Sequence, residues 1–431
     1  MKHLLALAAL PLLFATPAQA QDRIDPAALK ATVEKLVGFG TRHTLSDPDH
    51  PTRGIGAARR WTANEFERIS ESCGGCIQVA NLARTFEGPR APDGVNVVNV
   101  LGFQKGRDPN RVVIVMGHID SRVSDVMNFT ADSPGANDDA SGVALVIEAA
   151  RILSKEQFDA TIIYAALSGE EQGLWGATLL AETAKERGWV VSAALNNDMV
   201  GNTVGQNGKR ISDRVRVFSE GIRAVETLEQ HRKRRGDGGE DDGPSRALAK
   251  AIAEVSRDTN GIDVFVNRRP DRFGRGGDHE AFLRLGYPAV RFTVAAENYD
   301  QQHQDLRTEN GRVYGDTIDK MDFPYMARIV QLNLNAIRRF ATAPAVPNNV
   351  RMDGAVSTDT TVKWEAAPGA AGYRIHWRRN DAQDWTDHRD VPAGITELVL
   401  KDLVVDDHFV GVSSLSKDGA ESIVAFAGRG Q

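Results

Sequence analysis

Between residues 111 and 294 the chain repeats one texture, a short apolar and often β-branched run that closes on glycine or a polar residue. Arg111-Val-Val-Ile-Val-Met-Gly117, Thr161-Ile-Ile-Tyr-Ala-Ala-Leu167, Ala193-Ala-Leu195 and Pro288-Ala-Val-Arg-Phe-Thr-Val294 are such runs. Apolar residues at successive positions predict strands buried on both faces. Val143 to Leu153 has helix-like spacing instead, and follows the turn-rich Ser133-Pro-Gly-Ala-Asn-Asp-Asp-Ala-Ser-Gly142. Strands alternating with helices predict an α/β fold built on a mostly parallel sheet.

The texture changes near Ala341-Thr-Ala-Pro-Ala-Val-Pro347. Phe323 to Phe340, with Asp322 as its cap, reads as the last helix of the larger domain. Beyond it, Val362 to Trp364, Gly372 to Trp377, Thr396 to Leu400 and His408 to Val412 alternate apolar and polar residues between turn signals. Period-two alternation predicts a small all-β sandwich over residues 345–431. One stretch breaks the α/β rhythm: Gln230 to Gly243, basic and then acidic, is expected to be a mobile, solvated excursion, with a lid role left open.

The first twenty residues have a basic start, an apolar stretch from Leu4 to Phe14 and an Ala18-Gln-Ala20 ending. Such a stretch is too short to span a bilayer and suits a cleaved leader, so the expected location is periplasmic or secreted, with no integral membrane segment. Lys2 is the leader's one charged residue, and its removal takes the formal charge from −6 to about −7. Nothing in that balance suggests a nucleic-acid partner. In an oxidising compartment Cys73 and Cys76 are expected to form a local disulfide.

The candidate chemistry sits where the apolar runs stop. His118 follows the first run, at the carboxyl end where open α/β sheets place their sites. Asp120, two residues on, is placed to accept the second imidazole proton and fix the tautomer of a metal-bound histidine. Asp138 and Asp139 precede the 143–153 helix, and simple capping is the alternative reading for them. Glu170 and Glu171 follow the second run, and adjacent carboxylates can divide between metal binding and proton transfer. Asp198 ends the third run, and His303 lies in a loop after the fourth. Two imidazoles and three carboxylates are a donor set suited to a pair of zinc ions sharing a bridging carboxylate.

The motifs His-Ile-Asp-Ser121, Pro-Gly-Ala-Asn-Asp-Asp-Ala-Ser-Gly142, Gly-Glu-Glu-Gln-Gly-Leu-Trp-Gly176 and Asn-Asp-Met199, with a late histidine, occur in the order of the M28 zinc aminopeptidases. Over residues 90–340 the chain resembles that family, in its bacterial secreted form. The resemblance implies a three-layer α/β/α zinc-peptidase fold over residues 21–343 and two zinc ions. His118 and Asp198 would hold one ion and Glu171 and His303 the other, with Asp138 as bridge. Glu170 would be general base and acid, Asp120 would orient His118, and a cis peptide would follow Asp138.

The implied substrate is a peptide or protein with a free N-terminus. Carboxypeptidase or glutaminyl cyclase chemistry on the same scaffold, or an inactive binding protein, are the alternatives. Many relatives offer a tyrosine hydroxyl to the oxyanion from the segment that here reads Arg272-Phe-Gly-Arg-Gly-Gly-Asp-His279. Either Arg275 replaces it or the zinc ions polarise the carbonyl with little help; Asp278 is a structural or pocket-lining residue, and His279 is not counted as a ligand. Residues 345–431 resemble a fibronectin type III module, either packed on the enzyme or tethering it to a surface ligand.

Overall fold

The computed structural model describes residues 24–430, so the expected leader lies outside it. By internal contacts the described chain divides into two compact units. The larger comprises residues 24–231 and 240–342, the smaller residues 232–239 and 343–430.

The larger unit is built on an eight-stranded mixed sheet. Its strands are β1 (Ile77–Gly88), β2 (Ala91–Gln104), β3 (Asp108–His118), β4 (Ala160–Leu167), β5 (Val190–Asn197), β6 (Arg214–Phe218), β7 (Asp263–Asn267) and β8 (Ala289–Val294). Their order across the sheet is β1-β2-β4-β3-β5-β8-β6-β7. The central run β4-β3-β5-β8 is parallel throughout, as the doubly apolar patterns require, while β1, β2 and β6 supply the antiparallel pairings. Val112 to Met116 and Ile162 to Leu167 have no exposed surface, so these strands are covered on both faces.

The expected helix after the Asp-Asp pair spans Ala140–Leu153 and lies almost wholly buried. It approaches the sheet very closely, since a Cβ on Gly142 would fall 2.0 Å from the Asn197 carbonyl oxygen. The last helix of this unit is Phe323–Thr342, and Asp322 caps it by accepting a 3.0 Å hydrogen bond from the Tyr325 N–H. Cys73 and Cys76 are disulfide-bonded.

The smaller unit has two four-stranded sheets. One holds strands Asn348–Asp353, Thr360–Glu365, Glu397–Leu400 and Gly428–Arg429, the other Gly372–Arg379, Asp387–Pro392, His408–Leu415 and Ala425–Phe426. Inward-facing Val362 and Trp364 from the first meet Tyr373, Ile375, Val410 and Val412 from the second. Trp364 and Tyr373 pack edge to face at 5.4 Å between centroids, and the Tyr373 hydroxyl accepts from the Ala367 N–H.

The excursion differs from its expected mobile form. Residues 228–237 are helical, and residues 232–239 pack within the smaller unit. Lys233 Nζ donates to the Arg429 carbonyl at 3.0 Å, and Asp237 pairs with Arg429 at 2.7 Å. Gly238 and Gly239 lie flat against the Phe409–Phe426 pair, where added Cβ atoms would come within 2.8 and 2.9 Å of the rings. Asp237 pairs with Lys233 inside the stretch at 2.7 Å, whereas Asp241 and Asp242 pair with Lys250, and Asp241 also with Arg268 and Arg246, all in the larger unit. Composition alone showed two opposite charge runs, and the partners that order them lie elsewhere in the sequence.

Candidate metal centre

Parallel pairing of β4, β3, β5 and β8 brings four carboxyl ends side by side. The register pairs His118 with Leu167 and Met116 with Asn196, and the Asp198 N–H donates to the Phe292 carbonyl at 3.1 Å. Glu171 follows β4, His118 ends β3, Asp198 follows β5, and His303 lies in the loop after β8.

These residues, with Asp138, form two groups able to hold a metal ion: His118, Asp138 and Asp198, and Asp138, Glu171 and His303. Asp138 belongs to both. Its Oδ1 lies 3.1 Å from His118 Nε2 and its Oδ2 lies 3.1 Å from His303 Nε2. His303 Nε2 is also 3.0 Å from Glu171 Oε1, and Asp198 Oδ2 is 4.0 Å from His118 Nε2. His118 Nε2 and Glu171 Oε1 are buried without a hydrogen bond. Left so, such atoms cost about 1–3 kcal/mol each. Donor atoms that converge without bonding to one another are the arrangement a cation satisfies, so the set fits zinc.

The support around the five donors is dense. His118 Nδ1 faces the Asp120 main-chain carbonyl at 3.1 Å, nearer than the Asp120 carboxylate at 3.6 Å. Asp120 thus takes the Nδ1 proton through its main-chain carbonyl. That carboxylate accepts instead from the Glu170 N–H, the Glu171 N–H and the Thr44 hydroxyl, and so fixes the turn that carries the glutamate pair. Asp139 caps the 140–153 helix through the Gly142 N–H and also accepts from the main chain of His118 and Met199. The capping and site-building readings of Asp139 therefore both hold. The Asp138–Asp139 peptide is cis, as the motif implied.

Four supporting residues gave no signal in the sequence. Asp316 accepts from the N–H groups of Asn137 and Asp138, the latter at 2.7 Å, and burial pushes its carboxyl up to about 7. Arg42, buried, donates to the carbonyls of Ile119, Pro134 and Gly135 and clamps the loop leading to Asp138. Arg122 pairs with Glu171 at 2.9 Å, and Arg291 pairs with Asp198 at 2.7 Å.

Beyond the donors, Glu170 is half-buried and opens the turn after Gly169, whose φ is 76°. Burial pushes its carboxyl well above the usual range, opposed by His118 and reinforced by the charges of Glu171 and Asp198. Asp278 is fully buried with neither oxygen hydrogen-bonded, and burial pushes it to about 8. His279 Nε2 lies 2.7 Å from the Pro270 carbonyl. Arg275 Nη1 donates to Glu297 at 3.0 Å and to Gln302 at 2.8 Å.

Several known proteins resemble this chain. A probable zinc metalloprotease of Leptosphaeria maculans is 43% identical over 93% of this chain and 94% of its own. Another from Pyrenophora tritici-repentis is 42% identical over 93% of this chain and 84% of its own. Both organisms are fungi, which corrects the bacterial attribution of the resemblance. Among solved structures, the aminopeptidase from Aneurinibacillus sp. strain AM-1 shares the fold at a TM-score of 0.52 and 15% identity, over 74% of this chain and 95% of that one. The profile of Peptidase family M28 matches residues 99–335, more than half of the chain and every candidate ligand, and the chain belongs to that family.

Proposed function

We propose that this chain is an exported metallopeptidase that uses two zinc ions to release N-terminal amino acids from peptides. One observation carries the reading: five donor residues converge as two groups that share Asp138. His118 and Asp198 would hold one ion, Glu171 and His303 the other, with Asp138 common to both.

Bound zinc would supply Lewis-acid polarisation of the scissile carbonyl and acidify the attacking water toward neutral pH. Glu170 would take a proton from the attacking water and return it to the departing amine. Its half-buried carboxyl, with a raised pKa, suits a group that must both accept and donate. Asp120 acts through position, holding the Glu170–Glu171 turn with its carboxylate and His118 with its carbonyl. The two relatives' names as probable zinc metalloproteases and the aminopeptidase fold likeness support the same reading. The two-sheet architecture and the Trp364–Tyr373 contact support a fibronectin type III-like identity for the C-terminal module.

The test is cleavage of matched peptides with free and blocked N-termini, before and after chelator treatment and zinc restoration. Cleavage confined to free N-termini, lost on chelation and restored by zinc, is expected. Equal cleavage of blocked peptides would overturn the aminopeptidase assignment, and release of pyroglutamate or C-terminal residues would select the cyclase or carboxypeptidase alternative.

A further inference from the structure

The oxygens of the three candidate carboxylate ligands are not used alike. Both oxygens of Asp138 face ring nitrogens, and neither is paired with an arginine among the described residues. Asp198 gives Oδ1 to Arg291 Nη2 at 2.7 Å and keeps Oδ2 on the side of His118. Glu171 gives Oε2 to Arg122 Nε at 2.9 Å and keeps Oε1, which is buried without a hydrogen bond, on the side of His303. One oxygen of each outer carboxylate is thus committed to a guanidinium and one is left over.

The two arginines are themselves fixed. Arg291 has no exposed surface and also donates to the Gly276 carbonyl at 2.8 Å and to Asp271 at 3.3 Å. Arg122 Nη1 donates to the Val123 carbonyl at 3.2 Å and to the Ser124 carbonyl at 3.4 Å. A planar fork held at several points presents its N–H groups in one direction, which a lysine ammonium does not.

We propose that Arg291 and Arg122 are positioning residues that hold Asp198 and Glu171 as single-oxygen zinc ligands. The inference rests on the two-ion reading above. Its consequence is coordinative. With one imidazole nitrogen, one outer oxygen and one bridging oxygen, each ion has three protein ligands and a fourth position open to water or substrate. A carboxylate free to swing both oxygens inward would close that position.

The test compares the parent protein with Arg291→Met, Arg122→Met and the corresponding lysine variants. Zinc affinity is measured by competition with a chelator, and coordination by the visible absorbance of the cobalt-loaded forms. Each methionine variant is expected to hold one of its two ions about 10- to 100-fold more weakly, with the other unchanged, as loss of a group supporting a ligand does. Its cobalt form should lose the share of visible absorbance due to that ion, because coordination beyond four weakens these bands. The lysine variants, which keep charge without the fork, should recover only part of the affinity and guard against misfolding of the methionine forms. Unchanged affinity at both ions, or equal loosening of both in each variant, would overturn the proposal. A parent protein that takes up no zinc would instead overturn the two-ion reading beneath it.

Discussion

The two candidate ligand groups are built from different material. His118 and Asp198 stand at the ends of adjacent parallel strands, and their arginine, Arg291, lies within a third, all three essentially without exposed surface. Glu171 sits on a four-residue turn, and His303 lies in a loop at a φ of 52° with 24% of its side chain exposed. The sheet therefore fixes the first group as part of the core, whereas the second depends on loops whose order comes from side-chain contacts. A site with one rigid and one adjustable half keeps its chemistry in register while leaving one side open for entry.

The most damaging way to break this comparison is Asp138→Ala, which removes the residue common to both halves. Zinc content after dialysis should fall from two ions to none, with peptidase activity lost in parallel. Glu170→Gln should leave both ions in place yet lower turnover by about 10²- to 10⁴-fold. Retained metal with near-normal turnover would remove Glu170 from proton transfer. His303→Ala should cost one ion only, and chelator titration of the parent should draw that same ion first. Equal release of both ions would show that the loop-borne half is as firmly built as the sheet-borne one.

A smaller effect concerns acid. Burial disfavours the Glu297 carboxylate, but Arg272 and Arg216 overcome that and hold it at about 2. Glu297 thereby anchors the segment leading to His303, through Arg216, Arg275 and Gln302. A carboxyl depressed on folding adds stability that is fully present above its ordinary value of about 4.3 and is lost as pH falls through about 2. Thermal unfolding followed from pH 6 to pH 2 should show this loss. Glu297→Gln should lower the melting temperature at pH 6 and flatten the acid limb.

Much of the frame was legible because burial writes itself locally. Doubly apolar runs announced β3, β4, β5 and β8, and the polar residues that closed them marked His118, Glu171 and Asp198. His303 stood in a loop without periodicity, so only the family resemblance pointed to it. Arg42, Arg122, Arg291 and Asp316 were silent for a different reason. Asp316 meets Asp138 across 178 residues, and Arg122 meets His303 across 181. Nothing near either residue in the chain distinguishes it from an ordinary surface charge. The same distance misled the reading of residues 230–243, whose ordering partners are Phe409, Phe426 and Arg429. Which atom of Asp120 faces His118 was not legible, since only the folded backbone shows its carbonyl nearer than its carboxylate.

The flat seat of Gly238 and Gly239 on the Phe409–Phe426 pair bears on how this chain can be cut. A stop after Thr342 looks natural in the sequence, yet it would delete the platform under residues 232–239 while leaving those residues behind. A ten-residue helix with no buried apolar residue does not hold itself together in water. The shortened protein would carry a frayed, arginine-rich strip exposed to trypsin-like nicking. A well-behaved truncation must take both pieces at once, replacing residues 232–239 with a short turn.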